Sequence, residues 1–263
     1  MPCVGTLVID GDIGGTVFRV GTRCIMTAFH VIRPVVYDEA SGGLNFQHLD
    51  RKDIYVNFNA SIGSLPKIIY KLTCVFYSIE LDVAVLDLNS LSGLPRKMLL
   101  YKGDTKIKIE TVSVIGYGNP KQQLKKHFDP PCKVVPQHGT EIQAALDYFE
   151  IHRSHFKKAI FLNPDIVDDG YQGYDNPKNI IYHGYLEHGA SGGPLLVSND
   201  SRTVLVVGVL THGIPEYFYH LPDEEKNKFP KDYRFHLACN MKYIYEAIRN
   251  ENEDLAKDLF GGH

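Results

Sequence analysis

The sequence lacks tryptophan, has only five cysteines and contains no long apolar run. The cysteines are widely spaced, and no two of them form the C-x-x-C pair that is typical of zinc or redox sites. This pattern predicts a reduced, intracellular protein without disulfide bonds. The longest apolar stretch, residues 204–210, is far shorter than the roughly 18 residues of a membrane span. The first 30 residues do not resemble a secretion signal, so we expect neither secretion nor a membrane anchor.

Charge of one sign is not in excess either. The formal net charge is −3 and 22% of the residues are charged, so direct binding to nucleic acid or to an anionic membrane is not expected. His152 and His155 share one face of a predicted helix, but no third ligand lies nearby, and we predict no metal site and no cofactor. The 44% of hydrophobic residues in 263 is ample for a large core.

Short apolar and β-branched segments separated by turn residues recur along both halves of the chain. The first series comprises residues 16–20, 23–27, 54–58, 68–77, 83–88 and 111–115. The second series comprises residues 159–162, 180–185, 194–197, 204–210 and 234–240. This pattern predicts a mainly β fold with two successive β-barrels.

Two segments have helical spacing instead. Residues 140–158 begin with a capping-box pattern, Thr140-x-x-Gln143, and continue with apolar residues on one helical face. Near the end, Asn240 precedes a segment in which Met241, Ile244 and Ile248 share one face, followed by a charged tail. We therefore predict an inserted helix and a C-terminal helix.

The segment 189–194, Gly-Ala-Ser-Gly-Gly-Pro, has the strongest chemical signature. A serine between glycines sits on a turn sharp enough to project its hydroxyl while backbone N–H groups converge on one point. Ser191 is therefore the candidate nucleophile, and the amides of Gly189 and Ser191 are the candidate oxyanion hole. An ordinary glycine-rich hairpin is the alternative for this segment taken alone.

A serine hydroxyl needs a neighbouring base, and the base needs a group that orients it. His30 follows an apolar strand pattern at residues 23–27 and is the candidate base. Asp82 immediately precedes another apolar strand and is the candidate orienting carboxylate. Asp87 lies at odd spacing from Asp82, so we expect it on the other, outward face of that strand.

Two rivals share these residues. The pattern Gly189-x-Ser191-x-Gly193 also fits the nucleophile elbow of α/β-hydrolases, with Asp223 and His236 downstream. That elbow must be followed by a helix, whereas residues 194–197 have a strand pattern. The other rival is a catalytically silent module that uses its cleft only to bind peptides, and the sequence leaves it open.

Together, the segments 27–30 (TAFH), 82–86 (DVAVL) and 189–194 (GASGGP) resemble the signature segments of the chymotrypsin and trypsin clan, in the same order. The resemblance implies two six-stranded antiparallel barrels, residues 1–118 and 119–263, within one trypsin-like peptidase domain. It also implies a serine endopeptidase with His30, Asp82 and Ser191 as its catalytic triad. Segment 207–213 is similar to the clan's substrate-channel strand, so Thr211, His212 and Gly213 are expected to bind the substrate backbone.

The same resemblance places Tyr185 at the base of the primary specificity pocket. Tyrosine there implies a preference for aromatic or large apolar P1 residues, although Glu187 is near and Tyr185 could equally pack in the barrel. Many secreted clan members carry Asp just before the catalytic serine as the partner of an activating N-terminus. This chain has Ala190, so we expect activity that is constitutive or dependent on association.

Within the clan, several segments resemble the protease domain of an intracellular vertebrate group, the family with sequence similarity one-one-one. They are residues 81–86, 134–139, 155–165, 188–193 and 240–244. The resemblance implies a nuclear or cytoplasmic protease linked to DNA replication that cleaves itself, degrades DNA-bound proteins and forms a homodimer. The resemblance covers the protease domain of that family and not the long region that precedes it there.

Overall fold

The computed structural model describes residues 1–58, 69–104, 107–118, 125–184, 189–198 and 203–261. Their strands are β1 Val4–Ile9, β2 Asp12–Val20, β3 Cys24–Thr27, β4 Tyr37–Asp38, β5 Gly43–Leu44, β6 Ile54–Asn57, β7 Thr73–Ser78, β8 Val83–Asp87, β9 Leu99–Leu100, β10 Thr111–Gly118, β11 Lys125–Val135, β12 Asn179–Tyr182, β13 Pro194–Ser198, β14 Val204–Ile214 and β15 Phe235–Asn240. The helices are α1 Phe29–Val36, α2 Thr140–Ala159, α3 Asp223–Lys228, α4 Met241–Glu251 and α5 Glu253–Phe260. None of these described helices has the length and apolar character that a membrane span needs.

The N-terminal half forms a six-stranded antiparallel sheet in the order β6-β1-β2-β3-β8-β7. Alternate side chains such as Leu7, Val17 and Ile25 are fully buried on one face, where α1 covers them. Within the described residues the end strands β6 and β7 do not pair with each other. A closed first barrel therefore stays a prediction.

The C-terminal half closes into a barrel. Among the described residues, six antiparallel strands pair in the order β13-β10-β11-β12-β15-β14, and β14 pairs back onto β13. The short strand β9 adds to β14 in parallel. Because closure pairs both edges, this sheet presents no open edge at that seam.

Strand β10 belongs to the second β unit and not, as the sequence predicts, to the first. Residues 111–118 are expected in the first unit, but β10 pairs with β11 along its length and with β13 at Ser113 and Val114. Val112 and Val114 are buried in the barrel core. The second unit therefore includes β10, because both strands that pair with β10 belong to the barrel.

Helix α2 confirms the predicted helix, including its first residue, Thr140. Its buried face, which includes Phe149 and Phe156, packs in an aromatic cluster outside the barrel. The predicted capping box is wrong, because Gly139 occupies the N-cap position and Thr140 already lies in the first turn. The strand predicted at residues 159–162 is also wrong, because the Ile160 N–H still bonds to the Phe156 carbonyl and extends the helical turn.

The C-terminal helix is confirmed, and its charged tail is a second helix. The Asn240 side chain caps α4 by accepting the Lys242 N–H at 3.0 Å. After α4, Asn252 caps α5 in the same way, and Ala256, Leu259 and Phe260 are buried. Leu259 and Phe260 lie three and four residues after Ala256, so the three side chains share one narrow apolar face of an otherwise mostly charged helix. That face is buried against the rest of the protein.

A shared core joins the sheet to the barrel. Phe18 and Met26 from the sheet pack in one cluster with Ile115 and Val209 from the barrel and with residues of α4 and α5. The start of α1, the turn between β7 and β8, and the loop before β13 meet beside this junction, as the contacts below establish.

Candidate active site

His30 lies in the first turn of α1, directly after the fully buried strand β3. Its Nδ1 atom is 2.7 Å from Asp82 Oδ2, and its backbone N–H donates to Asp82 Oδ1 at 2.8 Å. The carboxylate therefore holds both the ring and the backbone of His30. With an acceptor at Nδ1, the favoured neutral tautomer carries its proton there and leaves Nε2 as a free base.

A strained turn aims the Asp82 carboxylate. Asp82 has a left-handed φ of 50°, which costs about 1 kcal/mol for a residue with a side chain but is tolerated best by Asn and Asp. Its N–H bonds to the Ile79 carbonyl at 3.2 Å, and its own carbonyl accepts the Phe29 N–H at 3.0 Å. The turn before β8 is thus tied to the start of α1 by backbone and side chain together.

Asp87, the alternative carboxylate, is not the outward-facing residue that the sequence analysis expects. It is 8% exposed, and its Oδ2 accepts from Arg23 Nε at 2.6 Å. The Asn89 N–H donates to its other oxygen at 2.6 Å. Burial is tolerated here because Arg23 supplies a counter-charge and both oxygens are hydrogen-bonded.

The loop that carries Ser191 turns sharply at two glycines. Gly189 has φ +95° and Gly192 has φ +86°, the region where side chains are disfavoured. A Cβ at Gly189 would collide with the Tyr117 carbonyl, and one at Gly192 with the Thr16 carbonyl. Within the described residues, the backbone N–H groups of Gly189 and Ser191 donate to no backbone carbonyl. Such donors are what an oxyanion hole requires.

The Ser191 hydroxyl donates to the Thr211 carbonyl at 3.0 Å. Thr211 itself is buried, and its hydroxyl donates to the Leu237 carbonyl at 3.0 Å, so its side chain supports the wall and its backbone meets the serine.

One cleft of about 660 Å³ brings most of the predicted residues together. His30, Asp82, Ser191, His212 and Gly213 all line it. Tyr185, the predicted base of the specificity pocket, lies outside the described residues, so its role stays a prediction.

The cleft also contains polar side chains that the sequence analysis did not assign to it. They are Arg33, Asp169, Gln172, Glu216, Tyr219 and His236. They come from segments without a recognisable motif, so no local signal identifies them. His236 appears in the sequence analysis only as a possible partner of the rejected hydrolase arrangement.

Two histidines of the cleft have altered acidity. His236 is 4% exposed and stacks on Tyr182 with ring centroids 5.5 Å apart. Burial lowers the pKa of His236 to about 4, so the ring is neutral at pH 7. Desolvation by the surrounding protein also lowers the pKa of His212, which lines the same cleft.

A family model described as a trypsin-like peptidase domain matches residues 14–209, most of the chain. The chain belongs to the trypsin-like peptidase family. His30, Asp82 and Ser191 all lie within the matched segment. A search of curated proteins finds no match to the chain.

The trypsin-like peptidase architecture is incompatible with the rival hydrolase arrangement, because strand β13 rather than a helix follows the serine loop. Ala190, at the position where many secreted peptidases carry Asp, is 2% exposed and belongs to the barrel core. An ionised group in its place would lack a partner in that apolar cluster.

The two histidines on α2 have other partners. His152 Nδ1 lies 2.8 Å from the Tyr148 carbonyl, and His155 Nε2 lies 2.7 Å from Glu225 Oε2. In the part of the chain that the structure describes, no group of three His, Cys, Asp or Glu side chains is arranged to hold a metal ion.

Proposed function

We propose that this trypsin-like peptidase domain is a serine endopeptidase that hydrolyses peptide bonds through an acyl-enzyme on Ser191. The observation that carries the proposal is the His30–Asp82 pair, 2.7 Å apart, in the cleft that Ser191 also lines. A base oriented by a buried or half-buried carboxylate beside a serine is the arrangement that activates a hydroxyl for acyl transfer.

In the proposed reaction, the Ser191 hydroxyl leaves the Thr211 carbonyl by rotation about its Cα–Cβ bond and passes its proton to His30 Nε2. Serine Oγ bonds to the scissile carbonyl carbon, and the Gly189 and Ser191 N–H groups stabilise the negative oxygen. His30 then donates the proton to the departing amine as the C–N bond breaks. Water, deprotonated by His30, hydrolyses the resulting ester and restores the serine.

Proteins or peptides are the proposed substrates, with an aromatic or large apolar P1 residue. Leu210 and Ile214 supply apolar surface in the cleft, and Tyr185 supports the proposal from the sequence. Asp169 and Glu216 add negative charge, so peptides with basic P1 residues form the critical comparison. The Thr211–Gly213 backbone is proposed to pair with the substrate chain.

An intracellular location, nuclear or cytoplasmic, is part of the proposal and rests on the scattered cysteines and on the family resemblance given above. Degradation of DNA-bound proteins and homodimer formation are proposed on that resemblance alone. Direct binding of this domain to nucleic acid or to a membrane is not proposed, because the net charge of −3 offers no general attraction to either.

A catalytically silent peptide-binding module is the second candidate. One contact favours it: the Ser191 hydroxyl donates to the Thr211 carbonyl, so in this arrangement its proton is not directed at His30. The cleft could then bind an extended peptide without attacking it.

The deciding experiment treats the purified protein with a fluorophosphonate probe, which reacts with activated serines, and measures intact mass. We expect one adduct on the native protein, none on Ser191→Ala and strongly slowed labelling of His30→Ala. Ser41→Ala, which removes an exposed serine hydroxyl bonded to Asp38, is the matched control and should label normally. Peptides with Phe, Leu, Arg, Lys and Gln at P1 then define specificity.

If the folded native protein takes up no probe and cleaves no peptide, the endopeptidase proposal fails. Binding of a fluorescent peptide to both the native protein and Ser191→Ala would then identify the silent module.

A further inference from the structure

Thr16 forms four hydrogen bonds where the N-terminal sheet meets the barrel, and two of them reach the loop that carries Ser191. This residue of β2 is fully buried. Its hydroxyl donates to the Gly189 carbonyl at 2.8 Å and accepts the Tyr117 N–H at 2.9 Å. Its N–H donates to the Ser191 carbonyl at 2.8 Å, and its carbonyl accepts the Thr27 hydroxyl at 2.8 Å. Thr16 therefore contacts the loop at two carbonyls.

These contacts fix consecutive peptide planes of the loop. Thr16 holds the carbonyls of Gly189 and Ser191, and the carbonyl between them, that of Ala190, accepts the Gly193 N–H at 2.9 Å. Because a trans peptide is planar, fixing the Ala190 carbonyl directs the N–H of the next residue, Ser191, the opposite way. That N–H is one of the two proposed oxyanion donors.

The loop has no charged group at position 190 to organise it. Ala190 contributes only a methyl group to the barrel core. Two backbone bonds, from the Gly192 N–H to the Leu210 carbonyl at 2.7 Å and from the Leu210 N–H to the Gly193 carbonyl at 2.8 Å, attach the loop to β14 on its other side. The Thr16 side chain thus anchors the loop to the N-terminal sheet.

We propose that the Thr16 hydroxyl is a positioning group that orders residues 189–192 and so directs the Ser191 N–H into the cleft. The inference rests on the proposed function, since an ordered oxyanion hole matters only to a working peptidase. Thr16 touches no substrate in this scheme and acts through the loop. It couples the competence of the serine loop to the packing between the sheet and the barrel.

Thr16→Val tests the hydroxyl, because valine keeps the branched shape and leaves the Gly189 carbonyl and the Tyr117 N–H without their partner. Removing an oxyanion donor outright costs on the order of 10²-fold to 10³-fold in kcat, so misdirecting one should lower kcat about tenfold to hundredfold. KM should change less than about threefold, because the cleft walls that bind substrate remain. Thr16→Ser retains a hydroxyl and should recover most of kcat.

Thr6→Val is the matched control. Thr6 pairs with Thr16 across β1 and β2, is 4% exposed, and its hydroxyl donates to the Gly15 carbonyl at 3.0 Å within the same sheet. The Thr6→Val variant removes a buried threonine hydroxyl that forms no hydrogen bond with the serine loop. We expect its kcat to match that of the native protein.

Hydrogen exchange measured by mass spectrometry gives a readout that does not need activity. Thr16→Val should exchange the amides of residues 189–193 several-fold faster than the native protein does, and Thr6→Val should not. If the native protein shows no activity, the proposed function fails, and the exchange comparison still decides the role of Thr16. Unchanged kcat and unchanged exchange in Thr16→Val, or equal losses in Thr6→Val and Thr16→Ser, would overturn the inference.

Discussion

Lowering the pH from 7 to 5 should destabilise the protein by about 2 kcal/mol through His236 alone. Burial, with a smaller contribution from the charge of Arg234, lowers the pKa of His236 from 6.5 to about 4. Between pH 6.5 and pH 4 this imidazole is mostly protonated in the unfolded chain but mostly unprotonated in the folded protein. Stability is therefore fully retained above pH 6.5 and falls progressively toward pH 4, where the accumulated loss reaches about 3 kcal/mol.

Urea unfolding at pH 7 and pH 5 measures this loss. A His236→Gln variant lacks the imidazole, so its free energy of unfolding should fall by about 2 kcal/mol less than that of the native protein over the same interval. His138→Gln, which removes an exposed histidine, is the control and should keep the native pH dependence. An equal loss in His236→Gln and the native protein would refute the reasoning. So would a His236 ring that titrates near pH 6.5 in NMR spectra.

Two further predictions concern the carboxylate and the thiols. Asp82→Asn should lower kcat on the order of 10⁴-fold with little change in KM, because the amide no longer favours the required His30 tautomer. Asp87→Asn, which breaks the ion pair with Arg23, is the control and should lower stability rather than kcat. A loss of kcat under about tenfold for Asp82→Asn in steady-state kinetics would contradict the assignment. Cys24, Cys132 and Cys239 should react slowly with a thiol reagent in the native protein, because burial raises the pKa of each thiol to about 12, and quickly in denaturant. Rapid modification of these three thiols at neutral pH without denaturant would disagree with their burial.

The local pattern of the sequence is sufficient to predict α2, α4 and the strands around the candidate site. The spacing of apolar residues locates α2 to within one residue of its C-terminus. The three signature segments predict His30, Asp82 and Ser191 as candidates, and all three line one cleft. These features depend on residues that are neighbours in sequence.

Strand β11 shows what the pattern misses. It contains Pro130 and Pro131 and several charged residues, which disfavour a strand. The structure accommodates them because the register with β10 shifts between Val112 and Val114, opposite this segment. At such an irregularity the ladder of hydrogen bonds is interrupted, so a proline without an N–H is tolerated there. The irregularity depends on how the two strands pair, and local sequence propensity does not reveal it.

The Thr16 contacts are beyond sequence reasoning for a related reason. The hydrogen bond from Thr16 to the Gly189 carbonyl joins residues 173 positions apart. Nothing near Thr16 in the sequence indicates that its hydroxyl is needed there, since a threonine in a buried strand is usually explained by β propensity. The partners of this hydroxyl, the Gly189 carbonyl and the Tyr117 N–H, come beside β2 only when the barrel has folded against the sheet.

The candidate site therefore depends on a junction as much as on its own side chains. His30 and Asp82 lie in α1 and in the turn before β8, on the side of the N-terminal sheet, whereas Ser191 lies in the loop that leads into β13 of the barrel. Thr16 and the shared apolar core cross between the two, and the bond from the Thr22 N–H to Asp258, at 3.0 Å, ties the sheet to α5. Because proton transfer requires the imidazole and the hydroxyl within hydrogen-bond reach, a small displacement of the sheet against the barrel would separate base from nucleophile without altering either. The helices α4 and α5 pack into the same shared core, so they help to hold the sheet and the barrel together at this junction.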